Sequence, residues 1–167
     1  MTDNIPETCR PAWAHDAGII DLQPVAEVPT DLTAIADRLL ILETVARYAI
    51  AYDERRLDVL SDLYTETGTY SYSIGGAPAD GRSGREVLIP WYDEIMRSQV
   101  DQRRHMLGSV VIEELTSDRA LVIAYKTIYG IEKTVRLVTT GLYRITLVKQ
   151  NKRWLIEDAF DALDRPF

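Results

Sequence analysis

The sequence has one cysteine and two histidines, and it has no apolar run of the length that crosses a membrane, about 18 residues. With Cys9 alone, no intrachain disulfide can form, which fits a reducing compartment. The first residues lack the basic start and apolar run of a secretory signal. A net charge of −7 disfavours nucleic acid and anionic membranes as partners, because both are bound through clustered lysine and arginine. We therefore expect a cytoplasmic protein whose partner is a small molecule or another copy of itself.

Several motifs of enzyme chemistry are also missing. The sequence has no Gly-x-Ser-x-Gly, which disfavours serine hydrolysis, and no Gly-x-Gly-x-x-Gly for binding a dinucleotide. It has no cysteine cluster and no His-x-x-x-His pair, which disfavours a metal centre. The sequence therefore predicts neither a metal nor a cofactor.

The chain divides at about residue 30. Residues 1–29 hold four of the seven prolines, and their apolar residues follow no sustained period. We interpret 1–29 as an irregular arm, packed on the domain or on a neighbouring subunit, and 30–167 as one α+β domain.

Three helices are predicted in the first half of the domain. The first begins near Thr30–Asp31, which offer N-cap oxygens, and runs to about Asp53. Its expected buried stripe is Ile35, Leu39, Leu42, Ala46 and Ala49. A shorter helix follows at 57–64. Ser83 and Glu86 resemble a capping box for a third helix at 84–98, with Pro90 expected near its first turns or at a kink.

Strands dominate the second half. A short strand at 69–73 and a loop at 75–82 are followed by four long segments rich in valine, isoleucine, threonine and aromatics, at 105–115, 120–131, 135–148 and 154–163. Helices first and strands last indicate an α+β fold. We expect a cone-shaped, curved antiparallel sheet with the three helices packed on its concave face.

Two residues stand out as candidates for chemistry. Asp53 lies seven residues after Ala46, which places a carboxylate close to the predicted apolar stripe, where it is costly unless it has a partner. The alternative is that Asp53 caps the helix beginning at Leu57. His105 opens a strand, where a lone histidine is more often structural or exposed. As a pair they make a general base, because a carboxylate that holds one imidazole N–H fixes its tautomer and raises its basicity.

Tyrosines supply further candidates. Tyr48 and Tyr52 are one helical turn apart, Tyr72 lies on the first strand, and Tyr125 and Tyr129 lie on a later one. A buried phenol can donate to a carbonyl and stabilise a developing enolate. The alternative, expected for the majority, is a core or interface aromatic with a satisfied hydroxyl.

Short motifs in order resemble the SnoaL-like families of the nuclear transport factor 2-like superfamily. They are Ala-Arg-Tyr-Ala-Ile-Ala-Tyr-Asp at 46–53, Leu-Tyr-Thr-Glu-Thr-Gly-Thr-Tyr at 63–70, Gly-Arg-Glu at 84–86, Arg-Arg-His-Met-Leu-Gly at 103–108 and Trp-Leu-Ile-Glu-Asp at 154–158. The resemblance covers about residues 30–165. It implies a pocketed cone in which an aspartate at the end of the first helix pairs with a histidine at the start of a strand, the positions that Asp53 and His105 match.

The resemblance also implies an activity. Relatives include scytalone dehydratase, a bile-acid dehydratase, a dehydrochlorinase and polyketide cyclases. Tyr52 and Tyr72 resemble two tyrosines of scytalone dehydratase, and Tyr48 one of the bile-acid enzyme. The second pocket histidine of scytalone dehydratase is missing, because residues 127–130 read Thr-Ile-Tyr-Gly. We therefore expect a cofactor-free lyase or isomerase that acts on an apolar ring compound such as a steroid or polyketide, rather than on scytalone itself.

Other parts of this expectation stay open. Substrate contacts are expected from Tyr125, Tyr129, Trp91 and Arg144, the last as a candidate for the distal arginine of the bile-acid enzyme. Dehydration, isomerisation and cyclisation are not distinguished. The same fold serves as the non-catalytic small subunit of ring-hydroxylating dioxygenases, and a ligand-binding module without turnover is a third reading. A homodimer or homotrimer is expected by family analogy.

Overall fold

The computed structural model describes residues 11–24, 29 and 31–166. Most of the helices come before most of the strands along the chain, as predicted. In the folded protein the helices lie on one side of a curved, unclosed sheet. The helices are α1 (Trp13–Asp16), α2 (Leu32–Asp53), α3 (Leu57–Leu63) and α4 (Arg85–Ser98). The strands are β1 (Tyr64–Ile74), β2 (Asp80–Ser83), β3 (Gln102–Leu115), β4 (Arg119–Ile131), β5 (Val135–Gln150) and β6 (Arg153–Leu163). The predicted α+β fold is thus confirmed. Within the described residues, no helix is both long and apolar enough to cross a membrane.

The sheet has the order β2-β1-β6-β5-β4-β3. Strands β3 to β6 form the predicted antiparallel meander. The expectation of a wholly antiparallel sheet is wrong, because β1 and β6 run parallel. The chain leaves β1 through β2 and α4, enters the sheet again at its far edge, and returns to β1 only after four alternating strands. Residues 80–82, predicted as the end of a loop, instead form a short edge strand with Ser83 and pair with β1.

The buried stripe of helix α2 shares only Ala49 with the predicted one. Asp31 caps it as expected, accepting a hydrogen bond from the Ala34 amide at 2.9 Å. Leu39 and Leu42, however, are 64% and 38% exposed, and Ile35 and Ala46 are also exposed. The buried stripe consists of Ile41, Val45, Tyr48, Ala49 and Ala51. Apolar residues lie on more than one side of this helix, so helical spacing alone did not select the face that meets the sheet.

The predicted capping box of α4 is wrong, although the helix begins within one residue of its predicted start. Ser83 belongs to β2, where it pairs with Thr69, and the N-cap is Gly84 with a φ of 84° and no side-chain cap. Ser83 lies one residue before the N-cap position, and glycine has no side chain with which to cap the helix. Pro90 is the sixth residue of α4, in its second turn.

Residues 11–24 of the N-terminal arm pack against the outer face of the sheet. The Trp13 indole N–H donates to Asp164 at 3.0 Å, and Ala14 and Ile19 form a small apolar cluster with Leu142 and Ala162. The arm thus contains a short helix, α1, that sequence periodicity did not indicate. Cys9 lies outside the described residues.

Candidate active site

The concave side of the sheet encloses a cavity of about 340 Å³. This is at the lower end of the range of small-molecule sites, about 300–1,000 Å³. Helices α2 and α4 close it on one side and strands β1, β3, β4, β5 and β6 on the other. Aromatic and apolar side chains dominate its wall: Tyr48, Tyr52, Tyr70, Tyr72, Ile74, Trp91, Tyr92, Ile95, Ile128 and Tyr143. Such a wall suits an apolar ring.

Asp53 and His105 meet at the edge of this cavity. Asp53 is the last residue of α2, and His105 is the fourth residue of β3. Asp53 Oδ1 lies 2.6 Å from His105 Nδ1, and Asp53 Oδ2 accepts the His105 backbone N–H at 2.7 Å. Both side chains are buried, with 7% and 6% of their surface exposed.

This contact orients the imidazole. Because a carboxylate only accepts hydrogen bonds, Nδ1 carries a proton, and in the neutral imidazole Nε2 then presents a lone pair. Among the described residues Nε2 has no hydrogen-bond partner, and the ring forms part of the cavity wall. The arrangement can therefore accept a proton from a bound molecule.

Tyr52 lies beside the imidazole, and its hydroxyl can donate a hydrogen bond to a bound molecule. The two rings are 5.0 Å apart and nearly perpendicular, at 70°. The Tyr52 hydroxyl accepts a hydrogen bond from Gln99 Nε2 at 2.9 Å, which leaves its own proton free to donate. Burial raises the pKa of Tyr52 even though the Gln99 bond opposes the shift, so the phenol stays protonated at neutral pH.

The hydroxyls of three buried tyrosines are joined by hydrogen bonds, and the ring of one of them, Tyr92, packs against Tyr52. Tyr92 Oη lies 3.0 Å from Tyr48 Oη and 3.0 Å from Tyr64 Oη. Burial raises the pKa of all three phenols. Tyr92 was not among the predicted site residues, although Leu88, Tyr92 and Met96 follow a four-residue spacing that would have indicated the buried side of α4.

A buried ion pair joins β4 to β6 across β5 and reaches the cavity wall through Asp161. Lys126 Nζ donates to Asp161 Oδ1, and the Tyr70 hydroxyl donates to Asp161 Oδ2 at 2.9 Å. Lys126 Nζ also sits 4.2 Å from the centre of the Tyr143 ring. Burial lowers the pKa of Lys126, and Asp161 opposes that shift. Sequence reasoning missed this group, although a charged residue among the inward, apolar positions of a strand was a usable signal.

The remaining predicted residues divide into two groups. Trp91 and Tyr72 line the cavity, where Tyr72 Oη is 3.4 Å from exposed Asp80. Tyr125, Tyr129 and Arg144 do not line it, so their expected substrate contacts are wrong for this cavity. Alternation along β4 turns Lys126 and Ile128 inward and the odd-numbered tyrosines outward, and Arg144 likewise follows inward-facing Tyr143.

Arginine is nevertheless present at the cavity. Arg103 lines it two residues before His105 and is held by Asp101, with Nε 2.6 Å from Oδ1. Asp101 also binds exposed Arg136 at 2.6 Å. In residues 11–24, 29 and 31–166, histidine, cysteine, aspartate and glutamate nowhere gather in threes as a metal site requires.

Comparison with known proteins identifies the relatives of this architecture. A protein of unknown function from Mycobacterium tuberculosis is 23% identical, with a TM-score of 0.70 over 84% of this chain and 79% of that one. A candidate scytalone dehydratase from Novosphingobium aromaticivorans is 19% identical, with a TM-score of 0.67 over 78% and 86%. The beta subunit of a candidate aromatic-ring-hydroxylating dioxygenase from the same organism is 16% identical, with a TM-score of 0.69 over 78% and 91%. At these identities the likeness shows a shared fold.

Comparison of the sequence with family models identifies the family of this chain, which the structural likeness alone does not. No curated protein matches the chain significantly. The SnoaL-like domain matches residues 33–159, from the start of α2 to within β6, and so includes both Asp53 and His105. The chain therefore belongs to the SnoaL-like domain family.

Proposed function

We propose that the protein is a cofactor-free lyase or isomerase that moves a proton on an apolar ring compound, such as a steroid or polyketide. The observation that supports this most is the 2.6 Å contact between Asp53 and His105 Nδ1, which leaves Nε2 unpaired at the wall of an aromatic cavity. General acid–base catalysis by such a group contributes a factor of about 10²–10⁴.

The proposed reaction is a β-elimination. His105 Nε2 removes a C–H proton next to a carbonyl, and the electron pair becomes an enolate. The enolate re-forms the carbonyl as a C=C bond develops and hydroxide leaves the β carbon. The imidazolium returns its proton to the leaving oxygen, so the products are an unsaturated carbonyl compound and water. In isomerisation no group leaves, and the imidazolium returns its proton to another carbon of the enolate.

Asp53 and Tyr52 have supporting parts in this proposal. Asp53 stabilises the imidazolium that forms during transfer. Tyr52 is the best placed of the three predicted phenols to polarise the carbonyl, because its hydroxyl proton is not used in the Gln99 bond. Tyr48 shares its hydroxyl with Tyr92, and Tyr72 lies nearer the solvent.

Cyclic β-hydroxy ketones test this function. Wild-type protein should convert at least one of a panel of hydroxylated bicyclic to tetracyclic ketones to the enone, which is seen by its new ultraviolet absorption. His105→Gln should lower turnover about 10²–10⁴-fold. The matched control is His15→Gln, which removes the other histidine from the exposed face of α1 and should leave turnover unchanged. Equal rates for the His105 and His15 variants would exclude the proposal.

A non-catalytic subunit is the second candidate, favoured by the likeness to the dioxygenase beta subunit. In that case the protein should copurify from its source cells with an iron–sulfur protein, recognisable by its visible absorption. It should also show no turnover of the ketone panel. A ligand-binding module would instead bind ring compounds without producing product.

A further inference from the structure

The Lys126–Asp161 pair has no part in the proton transfer described above. The Lys126 side chain is fully buried and that of Asp161 is 4% exposed, yet Asp161 forms part of the cavity wall. Removing two charges from water is costly, and an apolar pair of similar size often serves stability as well or better. We therefore expect this ion pair at the cavity wall to have a function in addition to linking β4 and β6.

Asp161 retains capacity for a ligand. A carboxylate has about four acceptor positions, and Lys126 and Tyr70 each fill one in the described structure. Because Tyr70 donates its proton to Asp161, the Tyr70 oxygen can also accept from another group. This end of the cavity thus offers acceptors and attracts an O–H or N–H donor.

The acceptor end is separate from the Asp53–His105 end. Asp161 lies on β6 and His105 on β3, three steps apart in the strand order. Neighbouring strands are about 4.8 Å apart, so β6 and β3 are about 14 Å apart along the sheet, and Asp161 and His105 reach the same cavity from these two strands. A fused-ring compound can span such a separation.

We propose that Asp161, supported by Lys126 and Tyr70, binds a hydroxyl group of the substrate at the end of the ring system remote from the proton transfer. The substrate class is thereby narrowed to ring compounds that carry a hydroxyl donor away from the reacting carbon. Asp161 is then a specificity-determining residue. The assignment of a reacting end rests on the proposed function, whereas the hydroxyl site itself is tested by binding alone.

Two probes of similar shape, 2-naphthol and 2-methoxynaphthalene, differ in hydrogen-bond donors. The naphthol has an O–H donor and its methyl ether has none. Their affinities can be measured by quenching of Trp91, which lines the cavity, and by calorimetry. A hydrogen bond to a charged group should favour the naphthol by about tenfold or more in Kd. A wild-type preference below about twofold would overturn the proposal.

A double variant assigns the preference to the ion pair. Asp161→Asn with Lys126→Met removes both charges and leaves no orphaned lysine, and it should bring the two affinities to within about twofold of each other. The matched control is Asp37→Asn with Lys149→Met. Asp37 and Lys149 form another part-buried pair, 2.8 Å apart, but do not line the cavity, so the naphthol preference should remain.

His105→Ala tests the competing location for the hydroxyl. Retained naphthol preference in this variant supports Asp161 as the site, and loss of the preference here would overturn it. The His105 variant also keeps the proposal falsifiable if the double variant does not fold. Failure of the proposed function would appear differently, as unchanged turnover of a ketone after replacement of His105.

Discussion

Asp53→Asn is the substitution that most directly tests how the site is held. Asp53 accepts two hydrogen bonds from His105, from the backbone N–H at 2.7 Å and from Nδ1 at 2.6 Å. Asparagine has a single acceptor oxygen, and keeping the backbone bond turns its NH₂ group toward Nδ1. A donor facing Nδ1 forces that nitrogen to accept, so the ring proton moves to Nε2.

The Asp53→Asn substitution should lower turnover strongly and the free energy of unfolding only slightly. An imidazole protonated at Nε2 has no lone pair facing the cavity and cannot act as the base. Turnover should therefore fall by about 10²–10⁴-fold, as for loss of the base itself. The backbone hydrogen bond is kept and the side chains have nearly the same shape, so the unfolding free energy should fall by only about 1–2 kcal/mol.

The tautomer can be observed without knowing the substrate. In ¹⁵N-labelled protein, long-range proton–nitrogen spectra distinguish the protonated ring nitrogen from the bare one. Wild-type His105 should show the proton on Nδ1, and Asp53→Asn should show it on Nε2. Asp118→Asn, an exposed substitution in the turn before β4, is the control and should change nothing. A proton that stays on Nδ1 in Asp53→Asn, or undiminished turnover, would refute the reasoning.

Three further predictions concern stability. Burial raises the pKa of seven of the nine tyrosines, and five of the seven lie in the core: Tyr48, Tyr64, Tyr70, Tyr92 and Tyr143. The contribution of these five to stability is fully present below their unfolded pKa of 10.0 and is lost as pH rises above it. The loss is about 1.4 kcal/mol per tyrosine per pH unit, and melting temperatures that stay level between about pH 9 and 11 would contradict it. Lys126→Met alone should cost about 3–5 kcal/mol in urea unfolding, because Asp161 is left charged and unpaired, whereas adding Asp161→Asn should recover part of that cost; equal costs would argue against burial of the pair. Gly141→Ala should cost about 3 kcal/mol, since its Cβ would lie 2.1 Å from the Ala162 carbonyl oxygen, while Gly108→Ala, with open space around its Cβ, should cost less than about 0.5 kcal/mol in the same assay.

The exposed side of α2 shows where sequence periodicity reached its limit. Leu39 and Leu42 have helical spacing as regular as that of Ile41, Val45 and Tyr48, but only the latter face the sheet. Asp53 is buried as expected, although the stripe used to place it is exposed. Its burial follows from contact between the end of α2 and β3, which no property of the isolated helix specifies.

Some residues of the site could be recognised from the sequence and others could not. Asp53 and His105 were recognisable because an acid ends a helix, a rare histidine lies near the start of a strand, and the surrounding motifs resemble a known family. Tyr92 and Asp161 were missed because the signals they carry, helical spacing and a charge on a strand, do not show that they meet at one cavity. Only the cavity shows that they share a wall with Tyr52 and Tyr70.

Local chemistry in the sequence determined helices α2 to α4, the long strands, the antiparallel meander and the N-cap at Asp31, because propensity, alternation and capping act within a few residues. The tertiary structure decided the parallel pairing of β1 with β6, the buried face of α2, the inward positions on β4 and the Lys126–Asp161 pair. These features depend on contacts between different elements, such as Lys126 with Asp161, 35 positions apart, and such contacts are set by the packing of whole elements against one another.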